Sequence, residues 1–152
     1  MRLGQLEIFM KFLQKISIEW SLRLGLGLTY LYSGQDLIRH PTAWYWALPF
    51  WLKEFITNIV ALDAYLKLQG IVEIIFAIVL LAWFMRPAIV KWVALLSTLE
   101  FATILILAFT PWSESNFLIT FRDIGLLGAS LTLFLILHNQ SQTQSRVSDI
   151  MK

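Results

Sequence analysis

One carboxylate, Glu73, stands inside a long apolar stretch that runs from Gly70 to Phe84. Bringing a charged side chain into hydrocarbon costs about 2.5–3.5 kcal/mol on insertion scales, and more when the charge has no partner. A chain that carries such a residue must turn it away from lipid and toward something on another helix. The sequence offers Arg122, with Asp123 beside it, near the head of a second apolar stretch. These constraints predict a helical membrane bundle with a polar interior.

The rest of the composition agrees. Hydrophobic residues make up 58% of the chain and charged residues 14%, against about 45–50% and about 25% in soluble domains. With 152 residues there is room for one helical unit. The absence of cysteine excludes disulfides, thiolate metal sites, iron–sulfur ligation and a thiol–disulfide relay. A net charge of +2, with its basic residues spread among the connections, argues against nucleic acid as a partner. Gly25-Leu26-Gly27 resembles the start of a dinucleotide loop, but it lies within a span with no strand before it. His40 and His138 fall at opposite ends of the bundle and cannot share a metal ion, so no metal site is expected.

A membrane span needs roughly 20 mostly apolar residues, and four stretches qualify, at about 17–36, about 68–85, about 88–109 and about 117–138. Met85-Arg86-Pro87 makes a tight turn between the second and third, because proline ends one helix and suits the first turn of the next. Thr110-Pro111-Trp112-Ser113 closes the third. Leu6, Phe9, Met10, Leu13 and Ile16 recur at helical spacing with Lys11 and Lys15 between them, which predicts an N-terminal helix on the membrane interface rather than a signal peptide. Trp44, Tyr45, Trp46, Phe50, Trp51 and Phe55 cluster around Pro49, and the stretch from Pro49 to Leu62 is expected to form an amphipathic cap at the outer end. The reading is thus all-α and polytopic: a four-transmembrane-helix bundle over residues 1–138, followed by a polar tail over 139–152 expected to be disordered. Seven Lys and Arg fall on one side of the spans and three on the other, which predicts that both termini are cytoplasmic.

Depth follows from helix rise. At about 1.5 Å per residue, Glu73 and Arg122 both lie about 7 Å below the outer surface, and Glu100 about 13 Å. Asp123 shares the upper layer, and Arg23 lies deeper on the first helix. Small residues follow the same faces: Gly27 and Gly34 with Arg23 and Tyr30, Gly70 and Ala77 with Glu73, Gly125 and Ala129 with Arg122. Such faces let helices approach closely and let polar groups bond across them. Two cations against three carboxylates leave one carboxylate in excess, which calls for a proton, a cation or a donor ligand.

At these residues the chain resembles the DoxX family of small four-helix membrane proteins, from about Ser21 to His138. Leu22-Arg23-Leu24-Gly25 through Tyr32-Ser33-Gly34 resembles its opening helix, Gln69-Gly70-Ile71-Val72-Glu73 with the later Arg86-Pro87-Ala88 its glycine–glutamate helix and turn, and Phe121-Arg122-Asp123-Ile124-Gly125 its closing helix. Ala77 stands where a glycine is common, and Gln35-Asp36 where the family often has a lysine. The resemblance implies a multi-pass plasma (inner) membrane protein linked to redox chemistry; relatives include a membrane subunit of a thiosulfate:quinone oxidoreductase and a superoxide dismutase partner.

Together these features suggest a membrane subunit that binds a quinone or similar lipid in the outer half of the bundle. Arg122 and Arg23 would bond a carbonyl oxygen, Glu73, Glu100 or Asp123 would move protons, and Trp46 and Trp51 would cover the ring. Electrons would come from a redox protein partner or a bound cofactor. The alternative is a non-enzymatic scaffold or assembly factor that presents its outer cap to another protein. Either form is compatible with a homo-oligomer.

Overall fold

The computed structural model describes residues 17–109 and 117–150, with the side chains of 117–121, 144, 145 and 147–150 left aside. The described chain is all-helical: α1 (Ile18–Arg39), a 3-10 segment (Pro41–Ala47), α2 (Phe50–Thr57), α3 (Leu62–Leu81), α4 (Pro87–Ala108) and α5 (Phe117–Ile150). The expected interfacial helix over Leu6 to Ile16 and the Thr110–Ser113 stop lie outside the described residues.

Among the described residues, three segments are long and apolar enough to cross a membrane: Leu62–Leu81, Pro87–Ala108 and Arg122–Thr143. Helix α1 is as long, but Glu19, Arg23, Asp36 and Arg39, with its glycines and hydroxyl residues, dilute its apolar character. The second span begins at Leu62 rather than near 68. Asp63 falls in its first turn, where a carboxylate meets the positive end of the helix dipole. The fourth stretch does not stop near His138; α5 runs on through the expected disordered tail to Ile150. Residues 139–150 contain neither glycine nor proline, and extending a formed helix is far easier than starting one.

Local signals set the ends. Ser17 caps α1 by accepting from the Trp20 backbone N–H at 3.4 Å. Pro41 opens the 3-10 segment, Pro49 precedes α2 and Pro87 opens α4. The amphipathic cap expected over Pro49 to Leu62 is the shorter α2, Phe50–Thr57, and the 3-10 segment before it, which was not part of that expectation, completes the cap.

The bundle is two tight pairs set side by side. Helix α1 packs mainly on α3, and α4 on α5, whereas α3 and α4 touch little despite their short connection. At the α1–α3 crossing a Cβ on Gly34 would lie 2.8 Å from the Gly70 carbonyl oxygen, and one on Gly70 would lie 2.8 Å from that of Gly34. The backbones are therefore in direct contact, which only glycine allows at both positions. Leu26, Tyr30, Ala77, Leu80, Phe101 and Leu133 form the main core. A smaller core of Leu37, Ile56, Leu62 and Leu66 lies under the cap, with Trp44, Tyr45 and Tyr65 against it. The outward faces are apolar, with Leu28, Ile75, Ile78, Trp92 and Leu99 exposed. So much contiguous apolar surface suits a bilayer and not water.

Candidate functional site

Between the two pairs, beneath the cap, lies a cavity of about 310 Å³. The α1–α3 pair contributes Tyr30, Ser33, Gln69 and Glu73; the α4–α5 pair contributes Glu100, Phe101, Arg122 and Asp123. Trp44 and Leu48 from the 3-10 segment and its end, with Tyr65 of α3, line it from the cap side. In the α1–α3 pair Gly34 and Gly70 are used in the internal contact, whereas a Cβ on Gly125 or Gly128 of α5 would meet nothing within 4 Å, so the small face expected beside Arg122 makes no close helix approach there.

The polar groups are organised around the carboxylates. Tyr30 Oη donates to Glu100 Oε2 at 2.8 Å, and Gln69 Nε2 donates to Glu100 Oε1. Glu100 thereby ties both helices of the first pair to α4. Ser33 Oγ donates to Glu73 Oε2 within the first pair. Arg122 Nε donates to Asp123 Oδ1 at 2.8 Å; the Asp123 side chain is fully buried while that of Arg122 is 53% exposed. Asp123 Oδ2 has no hydrogen-bond partner among the described residues. The carboxylates act on one another through space, Glu100 on Glu73 and Asp123 on Glu100, and Arg122 acts on Glu73. Among the described residues no three His, Asp or Glu are placed to share a metal ion.

Four of the seven residues singled out from sequence, Glu73, Glu100, Arg122 and Asp123, line this one cavity. The expected direct answer of Arg122 to Glu73 is not among the ion pairs described: Arg122 turns to its neighbour Asp123, and Ser33 serves Glu73. Arg23 lies elsewhere. Its Nε donates to the Leu80 carbonyl at 2.9 Å and its Nη2 to that of Ala82 at 2.7 Å, while Nη1 meets Glu19 at 3.3 Å and the guanidinium sits 4.1 Å from the Trp20 ring centroid. The reason is directional. A helical side chain leans toward its own N-terminus, so Arg23 reaches the end of the bundle where α3 terminates and leaves carbonyls without helical partners. It caps the end of α3 and is not among the residues that line the cavity.

Trp46 and Trp51 do not line the cavity; both are exposed on the cap. The tryptophan on the cavity is Trp44, whose Nε1 donates to Asp36 Oδ2 at 2.8 Å. Asp36 also pairs with His40 Nδ1 at 2.9 Å. The aspartate at the end of α1 thus pins the 3-10 segment and aims Trp44 inward. On the other side of the cap, Tyr45 Oη donates to Asp63. That bond, with some loss of solvent and the aspartate charge, pushes the Tyr45 phenol above its usual range. Helical spacing puts Tyr30 and Gln69 on inward faces but does not mark them as the donors to Glu100; that role depends on how α4 is set against the first pair.

No family model, no curated protein and no solved structure matches this chain.

Proposed function

We propose that this chain is a four-span, DoxX-like membrane subunit that binds the ring of a quinone or similar lipid-like compound in the cavity between its helix pairs. The observation that carries this reading is the composition of that cavity: Tyr30, Trp44, Tyr65 and Phe101 beside Glu73, Glu100, Arg122 and Asp123, in a bundle whose outer faces are apolar. Ligand sites are commonly about 300–1,000 Å³, mostly apolar, with a few convergent polar groups. At about 310 Å³ the space suits a single substituted ring with its tail left in lipid. Arg122 holds the ring oxygen, and the carboxylates are the proton-handling groups. The chain contains no thiols, so in this reading electrons pass between the bound ring and a redox protein partner. The subunit sits in the plasma (inner) membrane with both termini cytoplasmic.

The test is extraction. Protein purified gently into nanodiscs should carry a quinone-class compound detectable by absorbance and mass spectrometry of its lipid extract, at a level above that of discs without protein. Arg122→Gln should lose it. An extract no richer than empty discs would refute the proposal.

A second reading is favoured by the cap. Trp46, Phe55 and Ile59 are exposed there, so the same chain could serve as a scaffold that offers this face to another membrane protein. Under that reading, substitutions at Trp46 and Phe55 abolish co-purification of a partner, whereas Glu73→Gln and Arg122→Gln change only stability.

A further inference from the structure

The seam between α3 and α4 is closed at the end away from the cap. A short turn over residues 82–86 joins the two helices there, and beside it Ala77 and Leu80 of α3 and Val90, Val93 and Ala94 of α4 belong to the buried core. Toward the cap, Gln69 of α3 meets Glu100 of α4, and beyond that bond both helices turn residues to the cavity. Residues three, four or seven apart share a helix edge. Tyr65 therefore lies on the edge of α3 that carries Gln69, and Thr103 and Leu107 lie on the edge of α4 that carries Glu100. All three line the cavity, and Thr103 is also exposed on the surface of the bundle. A residue that does both marks where the cavity reaches the surface. Thr103 sits about 7–8 Å inside the end of α4 by helix rise, within a segment able to cross a membrane, so the surface it reaches is lipid.

The wall on this side is mostly apolar. Leu66, Ile104, Leu107 and Ala108 line it, and Thr103 Oγ1 donates to the Leu99 carbonyl of its own helix at 2.8 Å. The charged groups of α5 lie across the cavity. Thr98, which bonds Ser130 of α5, is two residues from Glu100 and so about 200° around α4 from it. Helix α5, with Arg122 and Asp123, thus packs on the edge of α4 opposite the one that faces α3.

We propose that the α3–α4 seam is a lateral mouth, through which the ring enters from the bilayer and where its apolar chain stays once the ring is bound. This rests on the ring-binding reading given above. It adds a ligand class, a ring bearing one flexible apolar chain, and an orientation, with the polar edge of the ring toward α5 and the chain between Tyr65 and Thr103. Methylenes favour hydrocarbon over water, so a chain led out through the cap would gain nothing that this route does not give. Thr103 and Leu107 are then the residues that decide what chain can pass.

Equilibrium binding of decylubiquinone and of its tail-less parent ring to the protein in nanodiscs, corrected for partitioning into empty discs, tests the inference. Thr103→Trp fills the mouth and should weaken decylubiquinone at least about tenfold more than the tail-less ring, the factor that about 1.4 kcal/mol represents. Leu99→Trp, on an exposed face of α4 outside the cavity, should leave both ligands unchanged. Equal loss of the two ligands in Thr103→Trp, or loss of neither, overturns the inference while leaving the ring-binding reading in place. Failure of the unaltered protein to bind either ligand overturns both. Should Thr103→Trp fail to fold, the unaltered chain gives a second measurement. A decylubiquinone with a diazirine on the chain carbon next to the ring, photolysed in the bound state, should leave its adducts chiefly on Tyr65, Thr103 and Leu107, and adducts concentrated on α1 or α5 overturn the inference.

Discussion

The contact between Gly34 and Gly70 gives a sharp quantitative expectation. A Cβ at Gly34 would stand 2.8 Å from the Gly70 carbonyl oxygen, 3.1 Å from Glu73 Cβ and 3.1 Å from Ile74 Cγ1. The nearest obstacle is backbone, which cannot swing aside like the end of a side chain. Gly34→Ala therefore has to push α1 away from α3, and forced overpacking of this kind costs about 1–3 kcal/mol. Gly25 lies on the same helix, and a Cβ there would meet nothing within 4 Å, so Gly25→Ala should gain the helix preference of alanine, about 0.5–1 kcal/mol. The two substitutions are chemically identical and should move stability in opposite directions. Gly70→Ala should match Gly34→Ala, because its Cβ meets the Gly34 oxygen at 2.8 Å and Leu37 Cβ at 3.0 Å. The double variant should cost less than the sum, since helices already parted have less to lose. Thermal denaturation in mild detergent, followed by size-exclusion fluorescence or helix content, measures all four proteins. If Gly34→Ala is as stable as Gly25→Ala, the backbones do not touch there and the pairing of α1 with α3 is wrong.

Three further outcomes follow from the same geometry. Arg23→Met removes two bonds to the carbonyls of Leu80 and Ala82; with a charged donor worth about 1.5–3 kcal/mol, a comparable loss of stability is expected, without any change in ligand binding, and lost binding would return Arg23 to the site. Glu100→Ala leaves Tyr30 and Gln69 without their shared acceptor; interhelical bonds in membranes average about 0.6 kcal/mol and reach about 1.7, so a loss of about 1–3 kcal/mol is expected. Because the chain has no cysteine, spin labels placed at Leu28 and Leu131 should report a broadened separation in that variant, and an unchanged distance distribution would show that Glu100 does not tie the pairs. The Tyr45 phenol, held by its bond to Asp63, ionises at higher pH folded than unfolded, where its usual value is 10.0; the cap's share of stability is therefore complete below that unfolded value and is lost as pH rises through the folded one. Tyr45→Phe should remove one late-ionising tyrosine from the ultraviolet titration, and a titration identical in both proteins would contradict the bond.

What could be read from residues alone was periodicity and cost. The expense of burying Glu73, Glu100 and Asp123 predicted that they would turn inward together, and they line one cavity. The glycines at 34 and 70 marked the close crossing because nothing else permits it. Pro87 fixed the start of α4. The errors came where a side chain is long or where propensity is weak. Helical spacing gives the face on which Arg23 sits, but its guanidinium travels several ångströms along the helix and finds carbonyls at the end of α3. Among the aromatic residues before α2, spacing could not tell Trp44 from Trp46, since a 3-10 segment does not follow the 3.6-residue repeat; the bond from Trp44 to Asp36 decides it. Asp36 looked like a departure from a lysine position, and it is the residue that pins this segment. The polar end of α5 carries no apolar pattern, so its helix had no signal beyond the lack of a breaker.

The placement of the charges has a physical logic once the two pairs are seen. In lipid, helices gain no hydrophobic free energy by meeting, so association depends on close packing and interhelical hydrogen bonds. Glycine packing holds α1 against α3, while the bond from Thr98 Oγ1 to Ser130 Oγ at 3.2 Å links α4 and α5. Between the pairs, the polar connection described is made by Tyr30 and Gln69 meeting Glu100. A seam held by side chains rather than by backbone contact can widen without unravelling either pair. It is also where ionisable groups can face one another and not the acyl chains. The same division that makes room for the cavity thus concentrates its chemistry there, and a ring entering from lipid would meet Glu100 as both a wall of its site and the fastening between the halves that enclose it.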